Sequence, residues 1–489
     1  MTAGHIQRLG LVVLALTVLA CLLRLPGLNS TLWYDEILSV VESVRPPLST
    51  IVTTYHDSNH HPLYAVMSHL SISMLGEQPW TVRLPALLFG VAAIPALYLL
   101  GTVVANRREA LLATVLLATS YHHIWFSQNA RGYSALLLFT LLATWTLLRG
   151  LEERKTWWFV AYGILSALGA YTHLTMVFVV MAQTLVSMGI VLGMPRGEER
   201  TSTWRLAVLG TLVAATATVV LYAPMIPDMY AVFVKAPPPT RDVATPSLAA
   251  EHAIRGLQVG LNTIGMLLGA FLGMIGVWSY AMRQRTALAL FLLPGVALGA
   301  AALGLGLVLR PRFFFLLIGF LLLLIARGAV CIGGWVVERV RVRPAPDADA
   351  AVAWSLALAL VVIAIPSVLH NYRVPKQDFD SARAYIAAHR LAGDPVVTAG
   401  TASYPYQRYY AEDWDAIRSR DEFDRFGSLH RRFWIVYSQP EYLERSLRAA
   451  IEESCVSPRV FSGTLDGGDV VVCDAFVEPR AAWRAGGLP

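Results

Sequence analysis

Long apolar segments recur along almost the whole chain, and they limit its fold more than any other feature. Of 489 residues, 56% are hydrophobic and 15% are charged, whereas a soluble domain is about 45–50% apolar. A helix needs about 20 mostly apolar residues to cross a bilayer. The sequence therefore predicts a polytopic α-helical membrane protein with about 11 transmembrane helices. The apolar segments lie at residues 8–25, 80–103, 109–126, 133–150, 157–171, 174–193, 205–226, 256–281, 286–308, 312–335 and 351–370.

Basic residues are concentrated in alternate connections between these segments, as in Arg107-Arg108 and Arg154-Lys155. Cytoplasmic connections of membrane proteins carry this excess. We therefore expect a multi-pass protein of the plasma (inner) membrane with a cytoplasmic N-terminus. Residues 26–79 and the C-terminal tail are then extracytoplasmic. The net charge of +6 follows the same pattern, so it indicates a bilayer and no nucleic-acid partner.

The first outer loop, residues 26–79, is long and has its own helical periodicity. Apolar residues recur at helical spacing from Ile37 to Val44 and again from Leu63 to Met74, but neither run is long enough to span a bilayer. This pattern predicts two amphipathic helices on the membrane surface. The later loop at residues 227–255 contains three consecutive prolines, which predict an irregular segment that could act as a lid.

The composition changes after Val374 to that of a soluble domain. We predict a transmembrane catalytic domain over residues 1–375 and a small extracytoplasmic α/β domain over residues 376–489. Its predicted helices are Phe379–His389 and Tyr442–Glu453, and its predicted strands are Pro395–Thr398, Phe433–Tyr437 and Val470–Val472. Outside the cytoplasm a disulfide between Cys455 and Cys473 would be stable, although the spacing does not establish it.

Asp35 and Glu36 form an acidic pair flanked by aromatic residues just after the first apolar segment. In an arbitrary loop such a pair is usually a solvated surface feature. At the expected membrane surface, however, each charge needs a cation or a substrate as its partner. We interpret the pair as the catalytic centre, in which a carboxylate acts as general base towards an acceptor hydroxyl or amine.

His60 and His61 precede a predicted helix that begins at Pro62 and includes Tyr64. These histidines could contact a substrate, bind a metal or simply occupy the interface. No histidine pair in the sequence has a recognised ligand spacing such as that of a zinc helix. We therefore assign no metal site and expect no required cofactor, with a divalent metal kept as the alternative.

Arg83, Arg131 and Arg312 lie at expected outer ends of helices, where arginine often extends its charge to the interface. A lipid phosphate also needs clustered cations, and arginine suits it best. We therefore treat all three as candidate phosphate ligands. Tyr133 and His173, in two other outer connections, are further candidates, although interfacial tyrosines are commonly structural.

Together these motifs resemble the lipid-dependent glycosyltransferases of the GT-C fold, particularly bacterial family 39 members related to protein O-mannosyltransferases and the aminoarabinose transferase of lipid A. The resemblance covers roughly residues 20–335. It rests on Arg24-Leu25, Leu32-Trp33-Tyr34-Asp35-Glu36, His61-Pro62-Leu63-Tyr64, residues 80–90, Gln128-Asn129-Ala130-Arg131-Gly132-Tyr133, Tyr171-Thr172-His173 and Arg312-Phe313-Phe314.

The resemblance implies inverting transfer of a sugar from a polyprenyl-phosphate donor. The prokaryotic style of the chain favours undecaprenyl or decaprenyl over dolichol as the carrier. The acceptor would be a glycan, a lipid or a protein at the outer face. The essential acidic residue of the family corresponds to Asp35, with Glu36 beside it. The chain departs from many relatives in having a single proline, Pro62, after its loop histidines, and Gly132 where a proline is common.

Two other functions fit a polytopic chain. A transporter or flippase of lipid-linked sugars would be expected to show paired repeats with broken helices at mid-membrane, whereas the charges here gather towards one face. A non-catalytic partner in glycan assembly would depend on its C-terminal domain and not on Asp35.

Overall fold

The structure, a computed structural model, describes residues 3–57, 59–235, 246–304, 311–339, 347–430, 432–465 and 467–476. The α-helices are α1 Ala3–Arg24, α2 Tyr34–Ser39, α3 Leu48–Ile51, α4 Pro62–Leu75, α5 Pro79–Val104, α6 Arg107–Thr119, α7 Tyr121–Ser127, α8 Tyr133–Glu153, α9 Thr156–Thr172, α10 Met176–Gly193, α11 Glu198–Tyr222, α12 Ile226–Tyr230, α13 Pro246–Arg283, α14 Arg285–Gly304, α15 Ile318–Arg339, α16 Ala348–Arg373, α17 Phe379–His389, α18 Arg420–Leu429 and α19 Arg445–Ser454. The strands are β1 Val396–Gly400, β2 Asp415–Ile417, β3 Arg432–Ser438, β4 Arg459–Phe461 and β5 Val470–Phe476. Short 3₁₀ or π turns occupy Val40–Val44, Ala223–Met225, Ala231–Lys235, Pro311–Leu317, Pro405–Tyr409 and Pro440–Tyr442.

Each predicted apolar segment coincides with helical structure over the residues that the structure describes, and residues 305–308 of the segment at 286–308 lie outside them. Among the described residues, eight helices are long and apolar enough to cross a membrane, so the prediction of a polytopic helical membrane protein is confirmed. The figure of eleven spans stays a prediction. The eight are Pro79–Val104, Tyr133–Glu153, Met176–Gly193, Glu198–Lys235, Ile254–Arg283, Arg285–Gly304, Pro311–Arg339 and Ala348–Arg373.

The chain divides into two compact units. One consists of Met1–Leu28 and Pro46–Leu369, and the other consists of Asn29–Arg45 and His370–Pro489. We refer to them as the helical unit and the mixed unit. The start of the first loop, which carries α2, therefore belongs to the same unit as the C-terminal sheet. The functional boundary at residue 375 stays a prediction.

Small residues let the helices of the helical unit approach closely. A Cβ added at Gly276 of α13 would lie 2.0 Å from the carbonyl oxygen of Leu324 on α15, and one at Gly328 of α15 would lie 1.9 Å from that of Leu272. Only glycine fits at either crossing, since close approach of two backbones leaves no room for a side chain. The α13–α15 pair is thereby fixed in its register.

The loop predicted to be irregular is helical where the structure describes it. Helix α12 and the turn at Ala231–Lys235 come before the three prolines, and α13 begins at Pro246. The prediction is therefore wrong for these flanks, because the apolar segments on both sides continue their helical pattern through them. The prolines themselves lie outside the described residues.

The mixed unit contains a five-stranded sheet in the order β2-β1-β3-β5-β4. β1 pairs in parallel with β2 and β3, whereas β5 pairs antiparallel with β3 and β4. The α/β prediction is confirmed, and α17 has its predicted bounds. A disulfide joins Cys455 to Cys473, which answers the question that spacing left open. The short β2 and β4 strands and helix α18 are absent from the prediction because they lack a clear apolar run.

Candidate functional site

Five of the predicted site residues come together in the helical unit: His60, His61, Arg131, Tyr133 and His173. We call this group the histidine cluster. His60 and His61 lie immediately before α4, whose first residue is Pro62. Arg131 and Tyr133 lie at the start of α8, and His173 follows α9. All five are buried, with exposed fractions of 6% or less, so their polar atoms need partners or a ligand.

Three rings of the histidine cluster, those of His61, Tyr133 and His173, are in contact. The His61 ring centroid lies 4.9 Å from that of Tyr133 and 4.9 Å from that of His173. Arg131 and Tyr133 are held through Asn59, because Arg131 Nη2 donates to the Asn59 carbonyl at 3.1 Å and the Tyr133 hydroxyl donates to Asn59 Oδ1 at 3.1 Å. Asn59 is not among the predicted site residues, although it directly precedes the histidine pair.

Gly132 is a packing requirement of this cluster. A Cβ at this position would lie 2.9 Å from His61 Nδ1 and 2.8 Å from Thr172 Cγ2. Neither the ring nor the buried threonine has space to move away, since the interior is close-packed. The departure at Gly132 from the pattern of many relatives therefore accompanies a tight approach between the start of α8 and the loop histidine.

Burial and nearby charge keep the histidines neutral. Burial, followed by the charges of His56, Arg131 and His173, lowers the pKa of His60 to about 3. Burial, followed by Arg131 and Arg312, lowers the pKa of His173 to about 3. Burial, followed by the charges of Arg131, His173 and His60, places the pKa of His61 well below its usual range. At neutral pH each imidazole therefore offers one N–H donor and one acceptor nitrogen.

Hydrogen bonds on the other ring nitrogen fix two of these tautomers. The backbone N–H of Thr175 donates to His173 Nδ1 at 3.2 Å, so the proton of neutral His173 lies on Nε2. His61 Nδ1 lies 3.2 Å from the carbonyl oxygen of Thr172, which can only accept, so His61 Nε2 is an acceptor. Within the described chain, the Nε2 atoms of His60, His61 and His173 are buried with no hydrogen-bond partner.

Two of the other predicted residues bond to the backbone of the helical unit. The Tyr64 hydroxyl donates to the Val82 carbonyl at 2.6 Å, and Arg83 Nη1 donates to the Leu28 carbonyl at 2.9 Å. Arg312 lies before α15 with its guanidinium 5.8 Å from the Phe313 ring centroid. Its charge contributes to the lowered pKa of His173, so Arg312 lies near the histidine cluster.

The acidic pair lies in the mixed unit, at the start of α2. Glu36 is fully buried; its Oε2 accepts from the Trp33 backbone N–H at 3.2 Å, and its Oε1 lies 3.7 Å from Lys376 Nζ. Glu36 thus satisfies a first-turn donor and forms a buried ion pair. Asp35 is half-buried, and its charge adds to burial in raising the pKa of Tyr34.

Lys376 and Gln377, which are not among the predicted site residues, also contact α2. Gln377 Oε1 accepts from the Tyr34 backbone N–H at 2.8 Å. These residues directly follow the last apolar helix, where a lysine and a glutamine give no recognisable motif. Only the folded chain brings them to the acidic pair. Among the residues described, no group of three or more His, Cys, Asp or Glu side chains is arranged to hold a metal ion.

The described fold is that of the GT-C glycosyltransferases, within a multi-pass membrane protein, and the resemblance seen in the sequence is confirmed. Residues 59–227 match the family model described as dolichyl-phosphate-mannose-protein mannosyltransferase. That stretch contains the whole histidine cluster. It covers about a third of the chain and excludes α2 and the C-terminal sheet.

Individual relatives share little sequence with this chain. The putative mannosyltransferase YkcB of Bacillus subtilis is 23% identical over 172 residues, which are 32% of this chain and 23% of that protein. ArnT from Cupriavidus metallidurans in the apo state superposes with a TM-score of 0.54 at 13% identity, covering 94% of this chain and 97% of ArnT. The structure of ArnT bound to undecaprenyl phosphate gives 0.52 at 13% identity, covering 97% of this chain and 98% of ArnT. The oligosaccharyltransferase AglB from Archaeoglobus fulgidus, in complex with an inhibitory peptide and a dolichol-phosphate, gives 0.52 at 12% identity, covering 97% of this chain and 75% of AglB. At these identities the structural likeness concerns the fold alone.

Proposed function

We propose that this protein is a membrane glycosyltransferase that moves a sugar from a polyprenyl-phosphate donor to an acceptor outside the cytoplasm, with inversion at the anomeric carbon. The observation that carries the proposal is the histidine cluster. It is a buried group of neutral imidazoles beside two arginines, and its core falls within the segment that matches the mannosyltransferase family.

The donor phosphate is the ligand that best fits the arginine side of the cluster. The charges of Arg131 and Arg312 both lower the pKa of His173. Clustered guanidinium groups of this kind suit phosphate oxygens. His173 adds an N–H donor at Nε2, which can donate a hydrogen bond to an oxygen of the same phosphate. Arg83 and Tyr64 would stabilise this site indirectly, since they donate hydrogen bonds to the backbone carbonyls of Leu28 and Val82.

His61 would serve a different part of the substrate. Its Nε2 is an acceptor, so it suits a hydroxyl donor and would repel a phosphate oxygen. A sugar hydroxyl next to the phosphate meets this requirement. His60 and Tyr133 would line the same region. ArnT and AglB are described with undecaprenyl phosphate and a dolichol-phosphate, respectively, which supports a polyprenyl carrier for this chain.

In the proposed reaction Asp35 is the general base. It takes the proton of an acceptor hydroxyl or amine, the acceptor atom bonds to the anomeric carbon, and the bond from that carbon to the phosphate oxygen breaks with its electron pair. The departing polyprenyl phosphate carries the charge, which Arg131 and Arg312 would stabilise. Phosphate is a good leaving group, so the scheme requires no separate acid and no metal cofactor.

We also propose the location and orientation of the protein in the membrane. Residues 1–375 would form the catalytic domain in the plasma membrane, with the active site and residues 376–489 on the outer side. The acceptor class would be a glycan, a lipid or a protein.

Mass spectrometry of lipid-linked sugars and surface glycans tests the proposal. Cells would carry the wild-type protein, no protein, Asp35→Asn, or the control Asp57→Asn, which changes an exposed carboxylate of the same loop. We expect the deletion and Asp35→Asn strains to accumulate one polyprenyl-phosphate sugar and to lose one glycan residue. An Asp35→Asn strain that matches wild type, alongside a defective deletion strain, would reject the base assignment and favour a transporter or assembly role.

A further inference from the structure

The short link after the last apolar helix is bonded on two sides within the mixed unit. On one side it contacts α2, through the Lys376–Glu36 ion pair and the hydrogen bond from the Tyr34 N–H to Gln377. On the other side Gln377 Nε2 donates to Ser438 Oγ at 3.1 Å, at the end of β3. One side chain, that of Gln377, therefore joins the start of α2 directly to the sheet.

The backbone of the link is fixed as well. The Pro375 carbonyl accepts from the Thr464 N–H at 2.9 Å, and the Lys376 carbonyl accepts from the Leu465 N–H at 3.3 Å. A Cβ at Gly463 would lie 2.2 Å from the Lys376 carbonyl oxygen. The link thus lies against the loop before β5 with no space between the two backbones.

These contacts lie at the N-terminus of α2, where the backbone N–H groups need hydrogen-bond acceptors. The first N–H groups of a helix have no partner within it, and α2 has only six residues. Gln377 accepts from the N–H of its first residue, and Glu36 accepts from the N–H just before it. Glu36 is itself fully buried and Lys376 has an exposed side-chain fraction of 6%, so neither charge is screened by bulk water.

We propose that Lys376 and Gln377 are positioning residues for the acidic pair, and that the C-terminal domain is needed for transfer because it holds α2 in place. In this assignment Glu36 is also a positioning residue, and Asp35 alone exchanges a proton with substrate. The inference rests on the proposed function, in which Asp35 is the base.

A displacement of about 1 Å at a reacting group can lower a rate by about 100-fold. We therefore expect Lys376→Met and Gln377→Leu to lower glycan output per folded copy by roughly that factor. Lys376→Arg keeps the charge opposite Glu36 and should recover most of the output. The readout is the same glycan mass spectrometry, divided by the amount of monodisperse full-length protein extracted from the membrane.

A double variant separates positioning from a general loss of stability. Glu36→Gln with Lys376→Met removes both charges, leaves no buried charge without a counter-ion, and keeps an acceptor for the Trp33 N–H. If the ion pair positions α2, the double variant stays as slow as Lys376→Met. If Lys376→Met is slow only because it leaves Glu36 unbalanced, the double variant returns to wild-type output, which would overturn the proposal.

Arg432→Gln is the matched control. It breaks another ion pair of the same unit, between Arg432 and Asp474 at 2.8 Å, and should leave output per folded copy unchanged. Wild-type output from Lys376→Met and Gln377→Leu, together with an inactive Asp35→Asn, would reject the positioning role alone. An active Asp35→Asn would reject the proposed function itself.

Discussion

Two buried polar groups of the helical unit differ in how they use their hydrogen-bonding capacity. Arg24 is fully buried, and its guanidinium is shared among protein acceptors. Nη1 donates to the carbonyls of Ala20 at 2.7 Å and Ala118 at 3.0 Å, Nε donates to Ser127 Oγ at 3.1 Å, and Nη2 lies 2.6 Å from His123 Nδ1. Arg24 thus ties α1 to the ends of α6 and α7.

The histidine cluster is also buried, but some of its hydrogen-bonding nitrogen atoms have no partner among the described residues. As far as the described residues show, the Nε2 atoms of His60, His61 and His173 meet no hydrogen-bond partner, although leaving a buried polar atom unmatched costs about 1–3 kcal/mol. Burial alone therefore does not separate Arg24 from the residues that we propose bind substrate. What sets the cluster apart is that its three nitrogens without a partner in the described chain lie together beside Arg131. Arg24 and His61 belong to motifs of the same apparent importance, yet they differ in this respect.

The largest expected effect is on stability at Arg24. Arg24→Met leaves several buried acceptors without donors, so we expect the free energy of unfolding to fall by roughly 3 kcal/mol. Thermal unfolding of the detergent-solubilised protein measures this loss. Arg149→Met is the control, because its partly exposed ion pairs with Glu152 and Glu153 should each contribute less than about 1 kcal/mol. Equal losses in the two variants would remove the structural role assigned to Arg24.

Acidification should weaken the histidine cluster next. In the folded protein the pKa of His60 and that of His173 are lowered to about 3, whereas an unfolded histidine has a pKa of about 6.5. Between these values the unfolded chain binds protons that the folded chain does not, so stability falls as pH drops below about 6.5. At pH 5 the loss approaches about 2 kcal/mol per histidine.

Unfolding temperatures measured from pH 7.5 to pH 5 test this dependence. His60→Phe should reduce it, because one of the contributing histidines is then gone. Added polyprenyl phosphate should reduce it as well, since a bound anion favours the protonated imidazoles. An unfolding temperature that is flat with pH would mean that the imidazoles are hydrated and not buried as described.

The smallest effect on stability, and the sharpest contrast, is expected for His60→Phe itself. Phenylalanine keeps the aromatic contact with Tyr55, whose ring centroid lies 5.2 Å from that of His60, and removes an unmatched buried nitrogen. Stability at neutral pH should stay within about 0.5 kcal/mol of wild type or rise. Glycan output should fall about 10-fold, as expected for one lost hydrogen bond to substrate.

The control for this variant is His56→Phe, because His56 is exposed four residues earlier and phenylalanine keeps the ring contact with His60, whose centroid lies 5.4 Å away. It should change neither stability nor output appreciably. If His60→Phe destabilises the protein and leaves glycan output per folded copy intact, His60 is structural, and the distinction drawn from Arg24 does not extend to it.

Local sequence patterns predicted a large part of this architecture. Apolar length identified the helices, and apolar periodicity placed α17 and the main strands of the sheet. Short elements such as β2 and α18 were not predicted, because a three-residue strand or a strongly polar helix has little apolar pattern to detect. Site residues that lie beside the motifs were not predicted for another reason. Asn59 acts through contacts with Arg131 and Tyr133, which lie just before α8 and at its first residue, more than seventy residues along the chain.

By itself, the sequence determined that this is a multi-pass helical membrane protein with an α/β tail, because helix length and apolarity are local properties, and its motifs resemble those of the GT-C glycosyltransferases. It also identified the histidines and arginines as candidates. Only the tertiary structure decided which of them share a cluster, and that the acidic pair of α2 packs with the C-terminal sheet. Tyr34 and Gln377 are 343 residues apart in sequence. Contacts at that separation depend on how the entire chain packs, and no local pattern records them.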